Sequence, residues 1–158
     1  MNALKRGVSR LTARRLLLVA VVGFSLPAFS ADEAPGTGKW RVVNYWSEWC
    51  APCRIEIPML NALSLELAAQ GVAVVGVNFD EDPRALTLEI AEELEIKFPV
   101  LTSEEVARFG LRPPDVLPTT YLLSPDGEAV AKLIGMQTNA EIRKQLLMKG
   151  ALFDDAKD

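Results

Sequence analysis

A chain of 158 residues, 49% hydrophobic and 24% charged, has the composition of one globular domain of ordinary size and not of a disordered polymer. Beyond residue 30, 12 Lys and Arg face 21 Asp and Glu, a net charge of −9. So acidic a domain repels phosphate backbones, which argues against a nucleic-acid partner.

The first 30 residues read as a leader. Lys5, Arg6, Arg10, Arg14 and Arg15 form a basic start without a single acid, and an apolar run of 11 residues follows from Leu16 to Leu26. Pro27 and Ala28-Phe29-Ser30 complete the pattern of a secretory signal cleaved after Ser30. The run is shorter than the roughly 18 apolar residues of a membrane-spanning helix. Its alternative is an uncleaved anchor. Either way the domain is expected outside the cytoplasm, in the periplasm or at the extracytoplasmic face of the membrane.

Residues 31–38 are small and polar, with Pro and Gly, and read as a linker. The domain is expected over residues 39–150, with a flexible acidic tail at 151–158. WRVVNYW, Trp40–Trp46, is a β-branched and aromatic run and predicts a buried strand. From about Cys50 to Ala69, apolar residues recur at Ile55, Met59, Leu63 and Leu67, the period of a helix, with Pro58 inside it as a kink and Gly71 after it. VAVVGVNF, Val72–Phe79, is continuous enough for a central parallel strand. A second helix follows Pro83, with Leu86, Ile90 and Leu94 as its expected apolar face. Phe98–Leu101 predicts a short strand, and Ser103 the cap of a brief helix that stops at Gly110. Thr119–Leu123, the turn SPDG and EAVAKLIG predict an antiparallel hairpin. Thr138 and Glu141 have the spacing of a capping box for a last helix ending near Lys149. The order β-α-β-α-β-α-β-β-α implies an α/β domain, a mixed sheet with helices on both faces. Trp40 and Trp46 are expected in its core, and Glu92, Glu93 and Glu95 on a solvated helix face.

The only two cysteines stand in WCAPC, Trp49–Cys53. A zinc site wants four ligands, and the chain has no His and no third Cys. Covalent haem attachment needs His after the second Cys, where Arg54 stands. A purely structural disulfide over so short a loop removes little unfolded-state entropy. Two thiolates could hold copper(I), which leaves a non-enzymatic copper-binding module as one reading. The other reading is dithiol chemistry. At a helix N-terminus Cys50 faces unpaired N–H groups, which favour its thiolate and make it the nucleophile. Cys53, one turn on and beneath it, resolves the mixed disulfide. Pro52 stiffens the turn, and Trp49 gives the outer sulfur an apolar flank.

With this motif the chain resembles the thioredoxin superfamily, and within it the TlpA/ResA-type thiol–disulfide oxidoreductases. The likeness runs from about Trp40 to Lys149. VVNYWSEWCAPCRIEIP matches that family's strand, motif and helix, including Pro58, and Leu117-Pro118-Thr119-Thr120 matches its cis-proline loop. The resemblance implies a thioredoxin-like fold with a helix and strand inserted before that loop. It implies a redox-active Cys50–Cys53 disulfide, no metal or other cofactor, and a cis peptide at Pro118 facing the motif across a substrate groove. Trp49, Pro52, Leu117, Pro118 and Thr119 are the expected groove residues. Leu117 stands where relatives often have glycine and is expected to line that groove. Ordinary thioredoxin carries a buried Asp where this chain has Asn44, and the carboxylate reappears as Glu56, expected to take the proton of Cys53. The implied activity is reduction of client protein disulfides, in cytochrome c or copper-site assembly, recharged by a thiol donor in the membrane. A disulfide oxidase or isomerase is the alternative within the same chemistry.

Overall fold

The computed structural model describes residues 37–152. The expected leader, residues 31–36 of the linker and residues 153–158 of the tail lie outside them. Nine elements follow in the expected order: β1 (Trp40–Trp46), α1 (Ala51–Ala68), β2 (Val72–Asn78), α2 (Arg84–Glu93), β3 (Val100–Leu101), α3 (Ser103–Ala107), β4 (Thr119–Leu123), β5 (Ala129–Ile134) and α4 (Asn139–Met148).

They build one five-stranded sheet in the order β3-β2-β1-β4-β5. β1 runs parallel to β2 and antiparallel to β4; β2 and β3 are parallel, and β4 and β5 form the hairpin. β1 and β2 read as continuous apolar runs because both of their faces are covered. On one face Leu60, Leu63 and Leu67 of α1 and Ile142 and Leu146 of α4 pack on Val42, Val74 and Leu122. Burying leucines of this kind contributes about 1.5–3 kcal/mol each. On the other face Val106 of α3 and Leu111 cover Val43, Tyr45, Val75 and Val77. Arg41 lies on that face too, 2% exposed, with its guanidinium 4.2 Å from the Phe109 ring centroid.

Four details differ from the sequence expectation. Leu86 is exposed, because α2 turns Thr87, Ile90 and Ala91 inward, a stripe one residue away from the one that Leu86 would begin. Thr102, not Ser103, caps α3, because only Thr102 has a glutamate three residues on to close the box, at Glu105; the Ser103 hydroxyl donates instead to the carbonyl of Asn78 at 3.0 Å. β3 begins at Val100 and not at Phe98, since Pro99 has no N–H for the ladder. Ala151 and Leu152, assigned above to the tail, are 8% and 6% exposed and pack in the α1–α4 core, so the domain extends to Leu152.

Gly76 sits in β2 against the side chains of Trp46 and Phe98. A Cβ there would lie 2.8 Å from Nε1 of Trp46 and 2.9 Å from Phe98, both buried. Gly76→Ala is therefore expected to displace Trp46, which packs on Cys53, and to destabilise the domain by about 1–3 kcal/mol. A lowered denaturant midpoint at unchanged slope checks this; an unchanged midpoint would show that the indole moves freely.

Candidate active site

β1 ends at Trp46, and a tight turn carries the chain into α1. Three contacts set that turn. The Trp46 carbonyl accepts from the Phe79 N–H at 2.9 Å, the Ser47 hydroxyl donates to the Asp80 carboxylate, and Ser47 Oγ accepts from the Trp49 N–H. The end of β2 thus holds the loop in which Trp49 projects, 82% exposed.

Cys50 is the N-cap of α1, and its Sγ accepts from the Cys53 N–H at 3.3 Å. A sulfur placed there receives the dipole of a helix 18 residues long. Cys50 is partly exposed and Cys53 fully buried, and a disulfide joins them across a Cα–Cα distance of 5.3 Å. Exposed and buried sulfur therefore hold the places that exchange chemistry requires of nucleophile and resolving thiol. Pro52 lies in the first turn, exposed, where its missing N–H costs nothing. Pro58 is exposed within α1, which runs past it uninterrupted.

The Leu117–Pro118 peptide is cis. Leu117 and Cys50 both pack against the cluster of Trp46, Cys53, Ile90, Ala91 and Val100, which brings the proline loop to the motif. Leu117 is half-buried and packs also against the cluster around Val43, Tyr45 and Tyr121. Thr119 is fully buried and its hydroxyl donates to the Val116 carbonyl at 2.7 Å. Its side chain is therefore enclosed and not open to solvent as a groove-lining side chain would be.

Glu56 is 3% exposed, not a solvated helix residue. Asn44 Nδ2 donates to its Oε1 at 2.7 Å, and the Gln137 N–H donates to its Oε2 at 3.1 Å. Asn44, 1% exposed, also donates to Thr120 Oγ1 at 3.1 Å, its partner directly across the β1–β4 ladder. Burial raises the Glu56 pKa, and the bonds from Gln137 and Asn44 only partly offset it. Residue 135 is a glycine with φ 85°, and its N–H donates to the Pro118 carbonyl at 2.9 Å. The segment 135–137 therefore ties the cis-proline loop to Glu56. Sequence reasoning missed Ser47, Asp80, Thr120 and Gln137. Gln137 acts through its backbone, which no motif marks. Among the described residues no group of three or more His, Cys, Asp or Glu could hold a metal ion.

A raised carboxyl pKa favours the fold at low pH, and that advantage is lost as pH rises through the folded value. Glu56→Gln should therefore melt above the parent protein at pH 8, with the gap closing toward pH 4. Calorimetry of the oxidised forms across that range checks this, and a constant gap would contradict it.

Comparison with known proteins agrees with this geometry. The AhpC/TSA family signature matches residues 25–132. The chain is 32% identical to the thiol–disulfide oxidoreductase ResA of Bacillus cereus (strain ZK / E33L), over 83% of this chain and 90% of that one. It is 30% identical to ResA of Bacillus subtilis (strain 168), over 76% and 71%. In three dimensions it resembles StoA from Bacillus subtilis, with a TM-score of 0.57 at 22% identity, covering 70% of this chain and 84% of the other. The chain thus belongs to the AhpC/TSA family, among the ResA-like thiol–disulfide oxidoreductases of the thioredoxin superfamily.

Proposed function

We propose that the protein works outside the cytoplasm as a reductase of selected client disulfides. The observation that carries this is the placing of the two sulfurs, Cys50 capping α1 at the surface and Cys53 buried beneath it. The reduced Cys50 thiolate attacks one sulfur of a client disulfide, and the client's other sulfur leaves as a thiolate. Glu56 takes the Cys53 proton, and Cys53 attacks the Cys50 sulfur of the mixed disulfide. The client departs as a dithiol and Cys50–Cys53 is left oxidised, two electrons having passed to the client. A dithiol donor in the membrane returns them. Trp49 at 82% exposure and the backbone beside Pro118 form the surface against which an extended client segment lies.

The clients are cysteine pairs of proteins awaiting haem or copper, and the leader of residues 1–30 carries the domain to them. Ala51-Pro52 places no imidazole beside the outer sulfur, which supports a reducing couple over an oxidising one.

Cys53→Ser is expected to accumulate a mixed disulfide between Cys50 and its client, released by dithiothreitol and identified by mass spectrometry. The Cys50–Cys53 couple is expected near the potential of thioredoxin, about −270 mV, and not near the −120 mV of a strong oxidant. Absence of any trapped client, together with tight copper(I) binding by the reduced protein, would replace the enzyme with a metal carrier. A potential near the oxidant's would reverse the direction.

A further inference from the structure

Glu56 lies between one hydrogen-bond donor that cannot turn and one that can. The Gln137 N–H belongs to the backbone and always donates to Oε2. That oxygen must therefore stay unprotonated, and a proton taken up by Glu56 goes to Oε1. Oε1 stands 2.7 Å from Asn44 Nδ2, itself a donor. Protonation would thus set donor against donor in a buried site, where neither hydrogen would find an acceptor. No ion pair relieves it, since among the described residues those recorded join Arg84 to Glu105 and Arg143 to Glu66. Thr120 stands behind Asn44, and Cys53 lies one turn back on α1.

We propose that Asn44 is a positioning residue with two orientations, its amide donating to Glu56 when the carboxyl is ionised and accepting from it when the carboxyl is protonated. Two observations support the turn. Asn44 Oδ1 is buried and has no hydrogen-bond partner in the orientation seen. Rotation by 180° about the terminal bond brings it between Glu56 and the Thr120 hydroxyl, which now accepts from Nδ2 at 3.1 Å and would then donate. Each orientation leaves one amide atom unpaired, so neither charge state of Glu56 is locked. During exchange the proton leaves Cys53 Sγ, forms the O–H bond at Glu56 Oε1, and is held there by Asn44 Oδ1. No electrons move in this step. The inference rests on Glu56 serving as the base for Cys53.

The test is a pH titration of the 15N-labelled protein expressed from the full sequence. The Asn44 side-chain NH2 signals are expected to shift with the midpoint of Glu56. In Glu56→Gln the new amide must present its oxygen to Gln137, so the variant should show, at every pH, the Asn44 signature that the parent shows at its acid end. An Asn44 signature that ignores the Glu56 midpoint, or that stays neutral-like in Glu56→Gln, overturns the proposal. Exchange kinetics separate it from the reading beneath it. Glu56→Gln should remove the acid limb of the pH–rate profile, whereas Asn44→Leu should move that limb upward by about one pH unit, tenfold in rate on the limb, because the charge-assisted bond lost is the stronger one. If Glu56→Gln leaves the limb in place, the base assignment fails; if it removes the limb but Asn44→Leu leaves it unmoved, Asn44 alone is overturned. The titration of the parent protein decides the matter even if Asn44→Leu does not fold.

Discussion

Glu56 is the only buried acid among the described residues, and its carboxylate ties three parts of the domain together. It projects from α1, accepts from Asn44 on β1, and accepts from the backbone just before α4. Burying a carboxyl without donors costs several kcal/mol, so the site exists only while sheet, helix and loop are in register. One turn earlier on the same helix Cys53 is fully buried, and Cys50 at the N-cap is partly exposed.

The two cysteines are consequently tuned by different physics. Cys50 depends on local structure: a helix N-terminus, an N–H three residues on, and a turn stiffened by Pro52. It would keep much of its character in any fold that starts a helix there. Cys53 depends on tertiary structure. It packs with Trp46, Ile90, Ala91 and Val100, which come from three different elements, β1, α2 and β3.

The places where sequence and structure part company share a cause. Leu86, Ser103 and Phe98 were each assigned from a periodicity or residue preference that holds for an isolated element. The neighbour decided otherwise: α2 turns Thr87, Ile90 and Ala91 inward, Glu105 selects Thr102 as cap, and Pro99 withholds a ladder donor. Ala151 and Leu152 follow the same logic, for their acidic continuation suggested a tail while the α1–α4 core still had apolar surface to cover.

Order of elements, the hairpin and the CxxC spacing were legible in the linear chain, because each follows from residues close together in it: strand period, helix period, a turn, a cap. The cis peptide and the importance of Glu56 were legible only through family likeness. What tertiary structure alone decided is the company that Glu56 keeps. Thr120 and the Gln137 N–H lie 64 and 81 residues away along the chain, and a backbone donor leaves no trace in residue identity. Hydrogen bonds of that range are set by sheet register and helix height, which no local pattern encodes.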